Sequence, residues 1–149
     1  MANAPQRPLV IGWKERVDFP DWGIRRVKVK IDTGARTSAL DVAGYELRPV
    51  AGEGLIVALR LALHRNRPER IKVIETPVLE MVVVSNSSGM CEQRPLIETT
   101  LRIGSISKRV RLTVTNRAGM RFPVILGRKA LESDFLVDVS RKYLLENDQ

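Results

Sequence analysis

Apolar and basic residues trade places at every step in Val27-Lys28-Val29-Lys30-Ile31, and the run then breaks into Asp32-Thr33-Gly34-Ala35. A period of two sends successive side chains to opposite faces of a strand, whereas a helix would scatter the same residues around its circumference. The segment therefore predicts a half-buried strand that delivers a small polar loop at its end. The same period recurs along most of the chain, and this restricts the fold more tightly than any other pattern in it.

Residues 8–17 read as one strand, and Asp18-Phe19-Pro20-Asp21-Trp22-Gly23 as the turn that follows, with Trp13 and Trp22 packing this first hairpin. Residues 41–54 hold Gly44, Pro49, Gly52 and Gly54 and predict an irregular connection. Residues 55–63 fit strand or helix by periodicity. Strand is favoured because 64–69 reads as a loop and 71–74 can return beside it. Residues 78–84 and 92–100 form a second pair of strands around the small polar tip Ser85-Asn86-Ser87-Ser88-Gly89. Residues 101–103 and 110–114 alternate around Gly104-Ser105, the mark of a hairpin. Val124-Ile125-Leu126-Gly127 reads as a buried strand, 128–134 as a short helix, and 135–139 and 142–145 as terminal strands. The sum is a mostly-β single domain over 1–149, with one short helix near the C-terminus.

The rare residues narrow the chemistry. One Cys (Cys91) and one His (His64) cannot make an intrachain disulfide, which fits a reducing compartment, and cannot furnish a closed Cys/His zinc site. The chain has no HExxH and no GxxxxGK[ST], and a Ser–His–Asp triad would rest wholly on His64, which reads as solvated. Cys91 reads as a bystander thiol. No metal and no cofactor are expected. No apolar run reaches the roughly 18 residues that span a bilayer. The first residues lack the apolar region of a secretory signal, so a cytoplasmic location without a membrane partner is expected. Lys and Arg outnumber Asp and Glu by 25 to 17, a net charge of +8. Three readings are open: a nucleic-acid or ribosome contact through counterion release, steering of an acidic protein or peptide, and a solvated basic face. No aromatic-rich segment accompanies the charge, so stacking on single strands has little support.

The chemistry concentrates in two places. An apolar strand runs into Asp32-Thr33-Gly34-Ala35, followed by Thr37-Ser38. Far along the chain, Ile125-Leu126-Gly127-Arg128 precedes a helix. The first resembles the active-site loop of aspartic proteases, and the second the element packed beside that loop in retroviral-type proteases. Further residues carry a closer match: Arg94-Pro95; Thr115-Asn116-Arg117 with Met120; Ala130-Leu131; and Phe135-Leu136-Val137-Asp138. With Lys30-Ile31 they span residues 30–138. The chain resembles the retropepsin-like aspartic proteases. More closely, it resembles the bacterial family labelled ATP-dependent zinc proteases, often encoded with ATP-grasp glutamate ligases. Zinc and ATP find no ligand set or nucleotide loop among these residues.

The resemblance implies a closed or partly open acid-protease barrel and an aspartic endopeptidase. Two carboxylates about 3 Å apart share one proton, and a water between them becomes the nucleophile. With a single Asp-Thr-Gly, the resemblance implies a C2 homodimer in which each subunit supplies Asp32. Gly34 would let the loop approach its partner closely, and Thr33 would hydrogen-bond across to it. Ala35 offers the carboxylates no hydroxyl, so activity is expected nearer neutral pH than for a gastric-type enzyme. Ser85, Asn86, Ser87, Ser88 and Gly89 are the candidate flap, although viral flap tips are richer in Gly and residues 42–77 are an insertion. Arg128 reads as a loop or interface residue, and Asn116-Arg117 as a turn. The link to glutamate ligases implies a substrate bearing added glutamates. The rival is a non-catalytic retropepsin-like module that binds RNA, ribosome or a ligase.

Overall fold

A computed structural model describes residues 7–52, 54–85, 88–117 and 121–145. Its elements run β1 (Leu9–Gly12), β2 (Lys14–Phe19), a 3-10 turn (Pro20–Trp22), β3 (Ile24–Ile31), β4 (Ser38–Asp41), β5 (Gly44–Pro49), β6 (Leu55–Leu61) and β7 (Lys72–Pro77). There follow β8 (Glu80–Ser85), β9 (Cys91–Ile103), β10 (Ile106–Thr115), β11 (Val124–Leu126), α1 (Arg128–Leu131) and β12 (Phe135–Asp138). The main sheet runs β10-β4-β11-β3-β2-β9-β8, and pairing of β9 with β10 closes a 6-strand barrel. The mostly-β closed barrel with one helix near the C-terminus is thus the architecture the alternation predicts. No described helix is long and apolar enough to cross a membrane.

The period of two does its work in β3. Val27, Val29 and Ile31 point inward while Lys28 and Lys30 stay exposed. Arg26 adopts φ 58, and the pairing of β2 with β3 slips between Val17 and Phe19. That bulge resets the alternation, so Ile24 also faces inward despite its spacing from Val27. The core gathers Phe19, Leu40, Ile97, Leu101, Leu112, Val114 and Leu126, all fully buried.

Several boundaries differ from the sequence expectation. Residues 8–17 are two strands, because β1 leaves the barrel and pairs in parallel with β12. Gly12 lies so close to the returning chain that a Cβ would sit 2.5 Å from the Arg141 carbonyl oxygen. Trp22 stacks on Phe19 with ring centroids 4.8 Å apart, as a hairpin core should; Trp13 instead carries the Lys14 ammonium over its ring. Residues 44–49, read as irregular, are β5, one edge of a three-stranded sheet with β6 and β7. The glycines that suggested a loop sit in the turn after it, where Gly52 and Gly54 have φ 103 and 115. An edge strand also tolerates Pro49. The predicted helix 128–134 stops at Leu131, and Ser133 has φ 73. Residues 92–100 and 101–103 form the single long strand β9.

Residues 142–145 form no strand. Their backbone is held by a buried acid instead. Glu15 is fully buried, and its carboxylate accepts the N–H groups of Gly12 at 2.7 Å, Leu144 at 3.0 Å and Leu145 at 3.4 Å. Replacing Glu15 with Gln turns one acceptor oxygen into a donor facing these N–H groups. Hydrogen bonds to a charged group contribute about 1.5–3 kcal/mol, so Glu15→Gln should cost roughly 2–3 kcal/mol in urea unfolding. An unchanged midpoint would show that the terminal segment is held by packing alone.

Candidate active site

Asp32 stands where β3 stops. The parallel pairing of β3 with β11 sets Ile31 beside Leu126, and the next residue donates its N–H to the Leu126 carbonyl at 2.8 Å. The chain then turns: Ala35 N–H reaches the Asp32 carbonyl at 3.2 Å, and Gly34 N–H donates to Asp32 Oδ1 at 3.0 Å. A carboxylate that accepts the N–H two residues on mimics a backbone turn, which is why Asp suits this position. It also fixes the carboxylate's orientation. Asp32 is half-buried, while Thr33 and Gly34 are exposed.

The loop is sewn to the segment that follows β11. Arg128 N–H donates to the Ala35 carbonyl at 2.8 Å and Lys129 N–H to that of Arg36 at 3.1 Å. The Arg128 guanidinium reaches the Thr33 carbonyl at 2.9 Å, and Gly127 N–H donates to the Ser38 hydroxyl at 2.9 Å. These bonds bring together Asp32–Ala35 and Ile125–Arg128, residues that are distant in the chain. Within one chain the close approach is made by Gly127. A Cβ there would collide with the Thr37 carbonyl oxygen and lie 2.8 Å from that of Ala35. Gly127 has φ −90 and ψ −178, so crowding rather than backbone conformation demands glycine.

The candidate flap is a real hairpin. β8 pairs with β9 from Glu80↔Leu96 to Ser85↔Cys91, and β8 is the free edge of the main sheet. Ser88 and Gly89 are exposed, with Gly89 at φ 82; Asn86 and Ser87 lie outside the described residues. The hairpin overhangs a cleft of about 510 Å³ whose walls include Val82, Val84 and Leu96 on one side and Thr37, Ser38 and Ala130 on the other. Arg109, Arg111 and Lys129 bring positive charge to it, and Glu98 pairs with Arg109 at 3.5 Å and Arg111 at 3.8 Å. The cleft runs beside the Asp32 loop, and Asp32 is not among its walls.

Other residues fall into place around this frame. His64 is half-buried, not solvated: its Nε2 lies 2.6 Å from the Arg25 carbonyl oxygen, so Nε2 donates. Cys91 is exposed, its Sγ 3.4 Å from the Ser85 hydroxyl at the base of the hairpin. Arg117 N–H donates to buried Asp41, as a turn residue would, and Asp41 also pairs with Arg65 at 2.8 Å. Sequence reasoning gave Ser38, Asp41 and Arg94 no role. Ser38 and Asp41 anchor backbone that comes from distant segments, for which the sequence carries no local signal. Arg94 is buried in the hairpin, touching Glu92 at 3.3 Å. Among the described residues no cluster of three His, Cys, Asp or Glu side chains could hold a metal ion.

The family model described as RimB-like, retropepsin-like aspartic endopeptidase RimB, matches residues 10–148. The probable alpha-L-glutamate ligase of Shewanella halifaxensis is 33% identical over 143 residues, 94% of this chain but 31% of that protein. The probable alpha-L-glutamate ligase of Parasynechococcus marenigrum is 34% identical over 134 residues, 89% of this chain and 28% of its own length. The chain thus spans less than a third of these curated relatives. A crystal structure of a Legionella pneumophila protein of unknown function superposes with a TM-score of 0.74 at 18% identity, covering 92% of this chain and 98% of the other, which shows a shared fold.

The two glycines of the loop pair should respond differently to alanine. Gly127→Ala forces backbone apart and should cost about 3 kcal/mol or more. Gly34→Ala meets only Asp32 Oδ1, at 3.2 Å, and should cost about 1 kcal/mol or less while displacing that carboxylate. Denaturant unfolding of both variants tests the contrast; equal stability would mean the loop and β11 part freely.

Proposed function

The chain belongs to the RimB-like family of retropepsin-like aspartic endopeptidases, and from that membership we propose that it hydrolyses peptide bonds with water held between two Asp32 carboxylates, one from each subunit of a C2 homodimer. The observation that carries this reading is the loop itself. Asp32 is presented at a strand end, its carboxylate oriented by Gly34 and its backbone tied to β11 and α1. A group held on rigid elements in this way is suited to chemistry that depends on position.

In the proposed reaction the ionised Asp32 takes a proton from water as the water oxygen attacks the scissile carbonyl carbon. The protonated Asp32 of the other subunit hydrogen-bonds to the carbonyl oxygen as it gains charge. Collapse of the tetrahedral intermediate breaks the C–N bond, and the leaving nitrogen takes up a proton from the carboxyl pair. Thr33, Gly34 and Ala35 shape the loop, and Ile125–Arg128 hold it from behind. The hairpin tipped by Ser85–Gly89 closes over substrate and excludes water. No cofactor enters these steps.

The substrate we propose is an acidic or glutamate-bearing protein. The ligase names of the relatives support a role beside glutamate ligation, and Arg109, Arg111 and Lys129 at the cleft suit carboxylates. Those same names also favour a second reading, a docking module for a ligase that does not cleave anything.

Mass spectrometry of a peptide library that includes oligoglutamate tails, run near neutral pH with chelator, separates the two. Wild type should cleave, and Asp32→Asn should lose about a thousandfold or more in rate. At low concentration the specific rate should rise with protein concentration, because the site needs two chains. The optimum should lie above about pH 4, since Ala35 supplies no hydroxyl to the pair. Equal cleavage by Asp32→Asn would remove Asp32 from the mechanism; absence of cleavage alongside binding would favour the docking module.

A further inference from the structure

Away from the cleft, the described surface holds a second cavity of unusual charge. It measures about 210 Å³, and its walls carry Lys14, Arg26, Lys28, His64, Arg65 and Arg121. No Asp or Glu lines it. The cations come from separate parts of the chain: Lys14 from β2, Lys28 from β3, Arg65 from the loop of the inserted sheet, and Arg121 from the approach to β11. Convergence from such distant segments is a property of the fold, not of a local run of basic sequence. Lys142 adds its field from nearby, since it acts on Lys14 together with Arg121 and Lys28.

Acids do little to offset this. Asp41 pairs with Arg65, but it sits buried behind it and also accepts the Arg117 N–H. Asp18 takes the backbone N–H of Arg26. Burial lowers the tendency of Lys14 to hold its proton, and the three neighbouring cations push the same way. Like charges gathered in a concave space repel, and an anion entering that space relieves the repulsion and is held by it.

We propose that this cavity binds a compact polyanion of the oligophosphate class, a ligand with two or three phosphate groups in sequence. Size selects the class. A cavity of about 210 Å³ is only some 6 Å across, and each phosphate packs one to two negative charges and three acceptor oxygens into such a space. An acidic peptide of equal charge would need four or more residues at about 3.3 Å each, longer than the cavity. The aromatic rings at its edge are already covered, Phe122 by Lys14 and Arg121, and Tyr143 by Arg16. No bare ring is offered for a base to stack on, which disfavours single-stranded nucleic acid. Arg guanidinium forks suit phosphate oxygens in pairs, and Lys adds point charge. This site does not depend on Asp32 or on the proposed hydrolysis.

Isothermal titration with inorganic triphosphate, using wild type, Lys14→Gln/Arg121→Gln and Lys28→Gln, tests the assignment. Wild type should bind one equivalent, with affinity falling as salt rises. The double variant should lose about tenfold or more in affinity, and Lys28→Gln, an exposed position that leaves packing alone, should lose a smaller factor. Asp32→Asn should bind as wild type does. Oligoglutamate of matched charge and a short RNA are the comparison ligands. The proposal fails if triphosphate does not saturate a site, if Lys28→Gln and the double variant bind it as wild type does, or if either comparison ligand binds more tightly at the same residues.

Discussion

The hydrogen bond from the Asp32 N–H to the Leu126 carbonyl is the hinge of the whole arrangement. It is the last bond of the parallel pairing between β3 and β11, and it exists only because two segments far apart in sequence end side by side. Everything beyond it follows. The polar loop has to leave the sheet there, α1 has to begin where its N–H groups can meet the loop carbonyls, and Gly127 has to lack a side chain so that the backbones can touch. The barrel closes around this junction, with β4 placed between β10 and β11. A buried parallel pair of this kind costs loop entropy to form and so depends on the apolar faces of β3, β9 and β10 to hold it shut.

Much of this was legible from residues whose message is local. The alternation of Val27 to Ile31 identified a half-buried strand, and Gly104-Ser105 marked the hairpin of β9 and β10. The loop residues and the Ile125–Arg128 segment were recognisable as a pair only through family resemblance, because no spacing rule places them together. The failures share one cause. Trp13 falls at a change of partner from β12 to β3, which is a tertiary event. The glycines near β5 signal a turn but do not say on which side of it the strand lies. Residues 142–145 are apolar enough for a strand, yet Glu15 claims their N–H groups. Glu15 itself looks like one of many surface acids until its burial is seen.

Net charge illustrates the same limit. A surplus of Lys and Arg is readable at once, but its meaning depends on where the fold deposits it. Part of it faces the cleft beneath the β8–β9 hairpin, where Glu98 holds Arg109 and Arg111 in pairs. Another part converges on the small cavity at Lys14 and Arg121, where acids are few. One electrostatic total thus divides into two environments of different shape, and shape decides which anions each admits.

The meeting of the chain's two flanks has a consequence for how such a barrel can be joined to other proteins. Leu9 and Leu145 both pack over Gly104, close enough that a Cβ there would come within 3.2 Å of one and 3.3 Å of the other. Entry and exit therefore share one pole of the barrel. Linking them directly and opening the chain at an exposed turn, such as the one around Gly52, would give a circular permutant with the same strand order in space. A partner domain spliced at that pole would be attached by both threads at once, like a bead on a folded string, leaving the opposite end of the barrel unencumbered.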